Sequence, residues 1–238
     1  PKDERDATSG DLPRIARTGS EVAAIARLAG AGEVTERLGF AASRSAVLGS
    51  PLESFRILHL ATHGLVDPVR PARSGLALSR VNPAGAKLIE DPFLRLSDLA
   101  GKKLRADLVV LSACDTALGR ETRGEGPQSL GRAFLAAGAA NALVSLWRVD
   151  DSSTEELMVG FYRQLLERGL PAAAALRQSQ LAVRSRPEWN DPYYWGAFVL
   201  QGDWRDDRQE TEKVLNATNL KVSSENGMSR APMPRRLR

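Results

Sequence analysis

Cys114 follows the apolar run Leu108, Val109, Val110, Leu111, and His63 closes a similar run that begins at Ile57. A thiol and an imidazole are the residue types of nucleophilic catalysis. The thiol must ionise near neutral pH, and the imidazole must take its proton and later return it to a leaving amine. Histidine suits that work because its unperturbed pKa lies near the working pH. Gly64, directly after the histidine, lets backbone come close to a substrate and leaves an N–H to point into a cleft. That N–H and the N–H of Cys114 would then form an oxyanion hole. Cysteine protease chemistry is the expectation.

Taken alone, a cysteine at a strand end is more often inert packing than a nucleophile. The partner histidine and the ordered pattern around both residues reverse that reading. His59 is different, since it sits inside its run and reads as a core histidine with satisfied ring nitrogens. No metal site is expected from His59, His63 and Cys114. The two histidines share a strand face but stand too far apart along it. The chemistry calls for no cofactor.

The pattern extends well beyond the two runs. His59, Leu60, Ala61, Thr62, His63, Gly64 and Leu111, Ser112, Ala113, Cys114, Asp115, Thr116, Ala117 are followed by Gly124, Glu125, Gly126 and by a helix ending Ala133 to Ala139. Then come Val144, Ser145, Leu146, Trp147, Arg148, Val149, Asp150, Asp151, and later Phe161, Tyr162 and Ala175, Leu176, Arg177. In these ordered blocks the chain resembles the CHAT domain, a caspase-like module often attached to tetratricopeptide repeats. The resemblance implies a caspase and separase type fold, with His63 as general base and acid and Cys114 as nucleophile. The cysteine is followed by Asp115 rather than by the caspase signature, so cleavage after Asp is not implied.

The resemblance covers residues 12–204, with residues 1–11 as an N-terminal extension and 205–238 as a tail. The tail has few large apolar residues and no sustained period, so it is expected to be disordered. Its basic charge is diluted by Glu210, Glu212 and Glu225 without interleaved aromatics, and nucleic acid is not an expected partner. A chain of 238 residues with 42% hydrophobic content can bury a full core. No apolar stretch is long enough to span a bilayer, so no membrane association is expected. A single cysteine excludes an internal disulfide and suits a reducing, cytoplasmic setting. The chain opens Pro1, Lys2, Asp3, Glu4, Arg5, without initiator Met or signal-peptide pattern, and reads as a fragment or processed product.

The elements that must position the dyad alternate between strand and helix. A helix is expected over Glu21–Leu28 with Ser20 as N-cap, then the His63 strand, and then a loop-rich insertion holding a short strand over Gly75–Ser79. The Cys114 strand follows Asp107. Beyond it are expected a helix over Gln128–Ala137, a buried strand over Leu143–Trp147, and a helix over Ser153–Arg168 capped by Ser152 or Ser153. A helix over Pro171–Arg184 and a last strand over Ala197–Leu200 complete the order. This alternation predicts an α/β, caspase-like three-layer sandwich: a mostly parallel sheet, helices on both faces, and the site beyond the carboxyl ends of the strands.

Asp150 and Asp151 reach that rim. Either is an N-cap for the following helix, or the pair forms an acidic S1 pocket for a basic P1 side chain, as in separases and gingipains, which this fold resembles. Asp115 is expected to brace the loop after the nucleophile, and Glu125 to bind its backbone amides. The charged stretch from Thr116 to Gly126 reads either as an activation loop or as a solvated surface loop. The function expected is a caspase- or separase-like endopeptidase acting on protein substrates and regulated by a partner or attached repeat domain. The alternative is a catalytically silent interaction scaffold in a signalling or defence system.

Overall fold

In a computed structural model of the chain, residues 15, 17–29, 34–65, 73–80, 91–112 and 126–203 are described, the side chains of 126–129 excepted. The chain divides into two units, Pro1–Trp204 and Arg205–Arg238, and every described residue belongs to the first. The expectation of tail disorder therefore concerns residues outside the described set. In order, the elements are α1 (Thr18–Leu28), α2 (Arg44–Leu48), β1 (Ile57–Ala61), β2 (Gly64–Leu65), β3 (Gly75–Ala77), β4 (Phe93–Arg95), α3 (Leu96–Leu99) and β5 (Leu108–Ser112). They continue with α4 (Gly126–Ala136), β6 (Asn141–Ser145), α5 (Asp151–Tyr162), α6 (Ala172–Arg184), α7 (Pro192–Trp195) and β7 (Phe198–Gly202).

The main sheet runs β1-β5-β6-β7, with β1, β5 and β6 parallel and β7 antiparallel to β6. Strand β5 is buried at every residue, as a near-continuous aliphatic run in a doubly covered parallel sheet should be. Side chains alternate between two cores. Leu108, Val110, Leu143 and Phe198 pack with Ile25, Leu157, Phe161 and Leu176 from α1, α5 and α6. Val109, Leu111, Ala142 and Val144 pack on the other face with Leu99, Leu130 and Phe134 from α3 and α4. Each of these leucine, isoleucine, valine and phenylalanine side chains contributes about 1.5–3 kcal/mol by leaving water. The result is an α/β three-layer sandwich with a mostly parallel sheet, as the alternation predicts.

Several local expectations are corrected. Helix α1 starts at Thr18, and Ser20 lies inside its first turn, where its hydroxyl donates to the Arg17 carbonyl at 2.9 Å instead of capping. Helix α5 is capped by Asp150 rather than by Ser152 or Ser153. Asp150 is extended, and its Oδ1 accepts from the N–H groups of both serines at 3.0 Å, so the helix begins earlier than expected. The helix expected over Ser153–Arg168 closes as α-helix at Tyr162 and continues as a π-helical turn over Arg163–Glu167. The strand expected over Gly75–Ser79 is the shorter Gly75–Ala77. It is the centre of a second, antiparallel sheet, β2-β3-β4.

Two glycines are required by close approach. A Cβ on Gly75 would lie 2.5 Å from the Leu94 carbonyl oxygen across the β3–β4 pair. Gly138, between α4 and β6, has φ 109°, and a Cβ there would lie 2.4 Å from the Leu104 carbonyl oxygen.

Candidate active site

Strands β1 and β5 are neighbours and parallel, and their register ends with Ala61 opposite Ser112. His63 follows Ala61 by two residues, as Cys114 follows Ser112. Cys114, Asp115, Glu125 and the Thr116–Gly124 stretch lie outside the described residues. His63 is half-buried at the junction of the two sheets. Its carbonyl accepts from the Ala77 N–H at 2.8 Å, and the neighbouring Thr62 hydroxyl donates to the Ala77 carbonyl. The link from β1 to β2 is thus tied to β3. Gly64 stands opposite Leu76 in a pair whose ladder bonds are carried by the flanking residues. The N–H of Gly64 consequently points away from β3.

The rim beyond β6 is also braced. Ser145 Oγ donates to the Trp147 carbonyl at 2.6 Å, and Trp147 Nε1 donates to the Tyr193 carbonyl at 3.1 Å. Asp150 is exposed, with Oδ1 engaged by the two α5 amides, and Asp151 is the first residue of that helix. Arg17 is the basic group that the sequence did not associate with this acidic pair. Its side chain bonds Glu155 at 2.8 Å, and its guanidinium is held above its ordinary value by that bond, with Asp150 and Asp151 adding to the effect.

A cavity of about 1350 Å³ runs beside β1 from α1 and residues 34–42 to Thr62 and His63. Asp150 and Asp151 do not line it. On the α1 side of β1, His59 is bonded at both ring nitrogens, to Tyr162 Oη at 3.1 Å through Nδ1 and to Glu21 Oε1 at 2.9 Å through Nε2. Glu21 is only 2% exposed. Burial, with the Glu21 carboxylate adding, pushes the Tyr162 phenol far above its ordinary value, so the phenol keeps its proton. The proton order that satisfies all three groups is Tyr162 O–H to Nδ1 and Nε2–H to the Glu21 carboxylate. Among the described residues, no three or more His, Cys, Asp or Glu cluster as metal ligands, and no helix is long and apolar enough to cross a membrane.

The CHAT domain family matches residues 1–203. The chain belongs to that family. The CHAT domain family is a caspase-like peptidase family, and the sandwich described above fits that fold. Two relatives carry the name tetratricopeptide repeat protein 28. The protein of Mus musculus is 39% identical over 114 residues, which is 48% of this chain and 5% of the relative. The protein of Homo sapiens is 36% identical over 114 residues, 48% of this chain and 4% of the relative. The likeness to these much longer proteins is therefore confined to a small part of each.

Proposed function

We propose that this CHAT domain is a cysteine endopeptidase that cleaves protein substrates through an acyl-enzyme. The Cys114 thiolate attacks the scissile carbonyl carbon, forming a C–S bond. His63 takes the thiol proton and delivers it to the leaving amine as the C–N bond breaks. Water, deprotonated by His63, then releases the acyl group and restores the thiol. The N–H groups of Gly64 and Cys114 stabilise the oxyanion. Asp150 and Asp151 form the acidic wall that receives a basic P1 side chain, and a partner or attached repeat domain regulates the site. The tetratricopeptide repeats named in the relatives support that last point.

The observation that carries the reading is the register Ala61 to Ser112, two in-step parallel strands each followed at the same interval by one member of the dyad. Alkylation of Cys114 by iodoacetamide across pH tests it without requiring a substrate. A paired thiol should ionise well below the ordinary value of about 8.5. His63→Ala should restore ordinary behaviour, and an acyloxymethyl ketone probe should label the wild type but neither His63→Ala nor Cys114→Ala. An ordinary thiol profile in both wild type and His63→Ala, with no probe adduct, sinks the peptidase reading and leaves the silent scaffold.

A further inference from the structure

The start of α5 gathers three carboxylates at the rim beyond β6. Asp150 is the exposed N-cap, Asp151 is the first helical residue, and Glu155 follows Asp151 by four residues, one turn along the same helix face. Glu156 is committed elsewhere, paired with Arg186 at 2.5 Å. A guanidinium already sits against this group. Arg17 Nη1 bonds Glu155 Oε2 at 2.8 Å, across 138 residues of sequence. That bond raises the guanidinium above its ordinary value, and Asp150 and Asp151 add to the effect, so all three carboxylates act on one cation.

The cation comes from a separate element. Arg17 is the N-cap residue of α1 but makes no side-chain cap bond, so its side chain serves α5 rather than its own helix. Its carbonyl accepts from the Glu21 N–H at 2.9 Å, and Glu21 is in turn bonded to His59 in the buried file beneath. The base of Arg17 is therefore fixed, while its side chain, 52% exposed, reaches out over the acidic rim. An exposed arginine–carboxylate pair is a weak contact, because solvent screens it and two long side chains must be ordered to make it. A second guanidinium that brings contacts of its own can displace it. The shape and charge that Arg17 presents are those an acidic P1 subsite is built to receive.

We infer that Arg17 is an internal occupant of the acidic rim: it holds the position of a basic P1 side chain, with Glu155 as a third carboxylate of that subsite, and a substrate must displace it. This rests on the reading of Asp150 and Asp151 as the acidic wall, but not on the Cys114 thiolate. The probe is Nα-acetyl-arginine methylamide, titrated at low ionic strength into the full 238-residue chain. Binding is followed at the amides of Ser152 and Ser153, which donate to Asp150. The probe should bind wild type weakly but saturably, and Arg17→Ala and Arg17→Gln about threefold to fivefold more tightly, the range for removing one exposed ion pair as competitor. Asp151→Asn and Glu155→Gln, each made in the Arg17→Ala background, should weaken binding. Arg56→Ala removes an exposed arginine, paired with Asp107, at the opposite end of β1; it controls for net charge and should bind as wild type does. Equal affinity in wild type and Arg17→Ala, or an equal gain in Arg56→Ala, overturns the inference and leaves the acidic wall standing. Absence of binding by every one of these proteins removes the acidic wall itself, and the inference with it.

Discussion

Glu21, His59 and Tyr162 are three polar side chains in one buried file, and their value lies in being complete. Removing the middle member leaves the Glu21 carboxylate, 2% exposed, without its donor. We expect His59→Ala to lower unfolding free energy by about 3 kcal/mol, the cost of leaving a buried acceptor without its donor. Tyr162→Phe should lose about 1–2 kcal/mol, one neutral hydrogen bond, and Cys114→Ala should change little. Urea unfolding of the three variants checks the ranking; a His59→Ala loss no larger than that of Cys114→Ala would show that the file does not hold the structure. At the opposite rim, Asp150 has one oxygen committed to the α5 amides, while Asp151 opens the helix. Arg17 already feels both carboxylates, which is the attraction a P1 arginine or lysine would exploit. A P1 library should therefore favour Arg and Lys, with Asp150→Ala and Asp151→Ala weakening that preference. Preference for P1 Asp, or an unaltered profile in both variants, removes the pair from the S1 pocket.

At the level of elements, α2 and α3 are joined by Arg44 and Asp98. Arg44 Nε reaches Asp98 Oδ2 at 2.9 Å and Nη2 reaches Oδ1 at 2.5 Å, while the Arg95 N–H donates to Oδ2 at 2.8 Å. The Arg44 hydrogen bonds hold the Asp98 carboxyl below its ordinary value of 3.8, against the opposing effect of burial. A carboxyl with a depressed folded pKa contributes stability above its unfolded pKa and loses it as pH falls through the folded value. Wild type should therefore weaken on acidification below about pH 4. Asp98→Asn should be less stable by about 1–3 kcal/mol at neutral pH and show a flatter decline in acid. Asp91, lowered by its bond to Arg95 despite burial, leaves some slope in both proteins. Urea midpoints from pH 2 to 5 test this; parallel curves would contradict it. Such a link was invisible in the sequence, because its partners stand 54 residues apart. The strands were legible because β1, β5 and β6 are compact aliphatic runs; in the second sheet β3 was legible as a short strand, but β2 and β4, two and three residues long, carry too little periodicity to read. The sequence left the α5 cap open among Asp150, Asp151, Ser152 and Ser153, all competent caps, and backbone geometry selects Asp150.

For the whole described unit, the sheet is the element common to both cores, so neither helical layer has an independent interior. The alternation that made this visible in the sequence also sends adjacent β6 residues to opposite layers, Leu143 toward α5 and α6 and Val144 toward α4. Both are essentially fully buried, at 0% and 1% exposure. Leu143→Ala should lose about 2–5 kcal/mol and Val144→Ala about 2 kcal/mol, by transfer and cavity terms. Trp147, Trp189 and Trp195 all pack against the Leu143 side, so their fluorescence watches one layer. If the sandwich unfolds as one cooperative unit, Val144→Ala, on the far face, must shift the tryptophan transition and the far-ultraviolet circular dichroism transition together, with an unchanged denaturant slope. A tryptophan midpoint that stays at the wild-type value while the dichroism midpoint falls would mean that the α4 layer can separate from the rest. That result would place the weak seam between the sheet and α4, where Val144 meets Leu130 and Phe134.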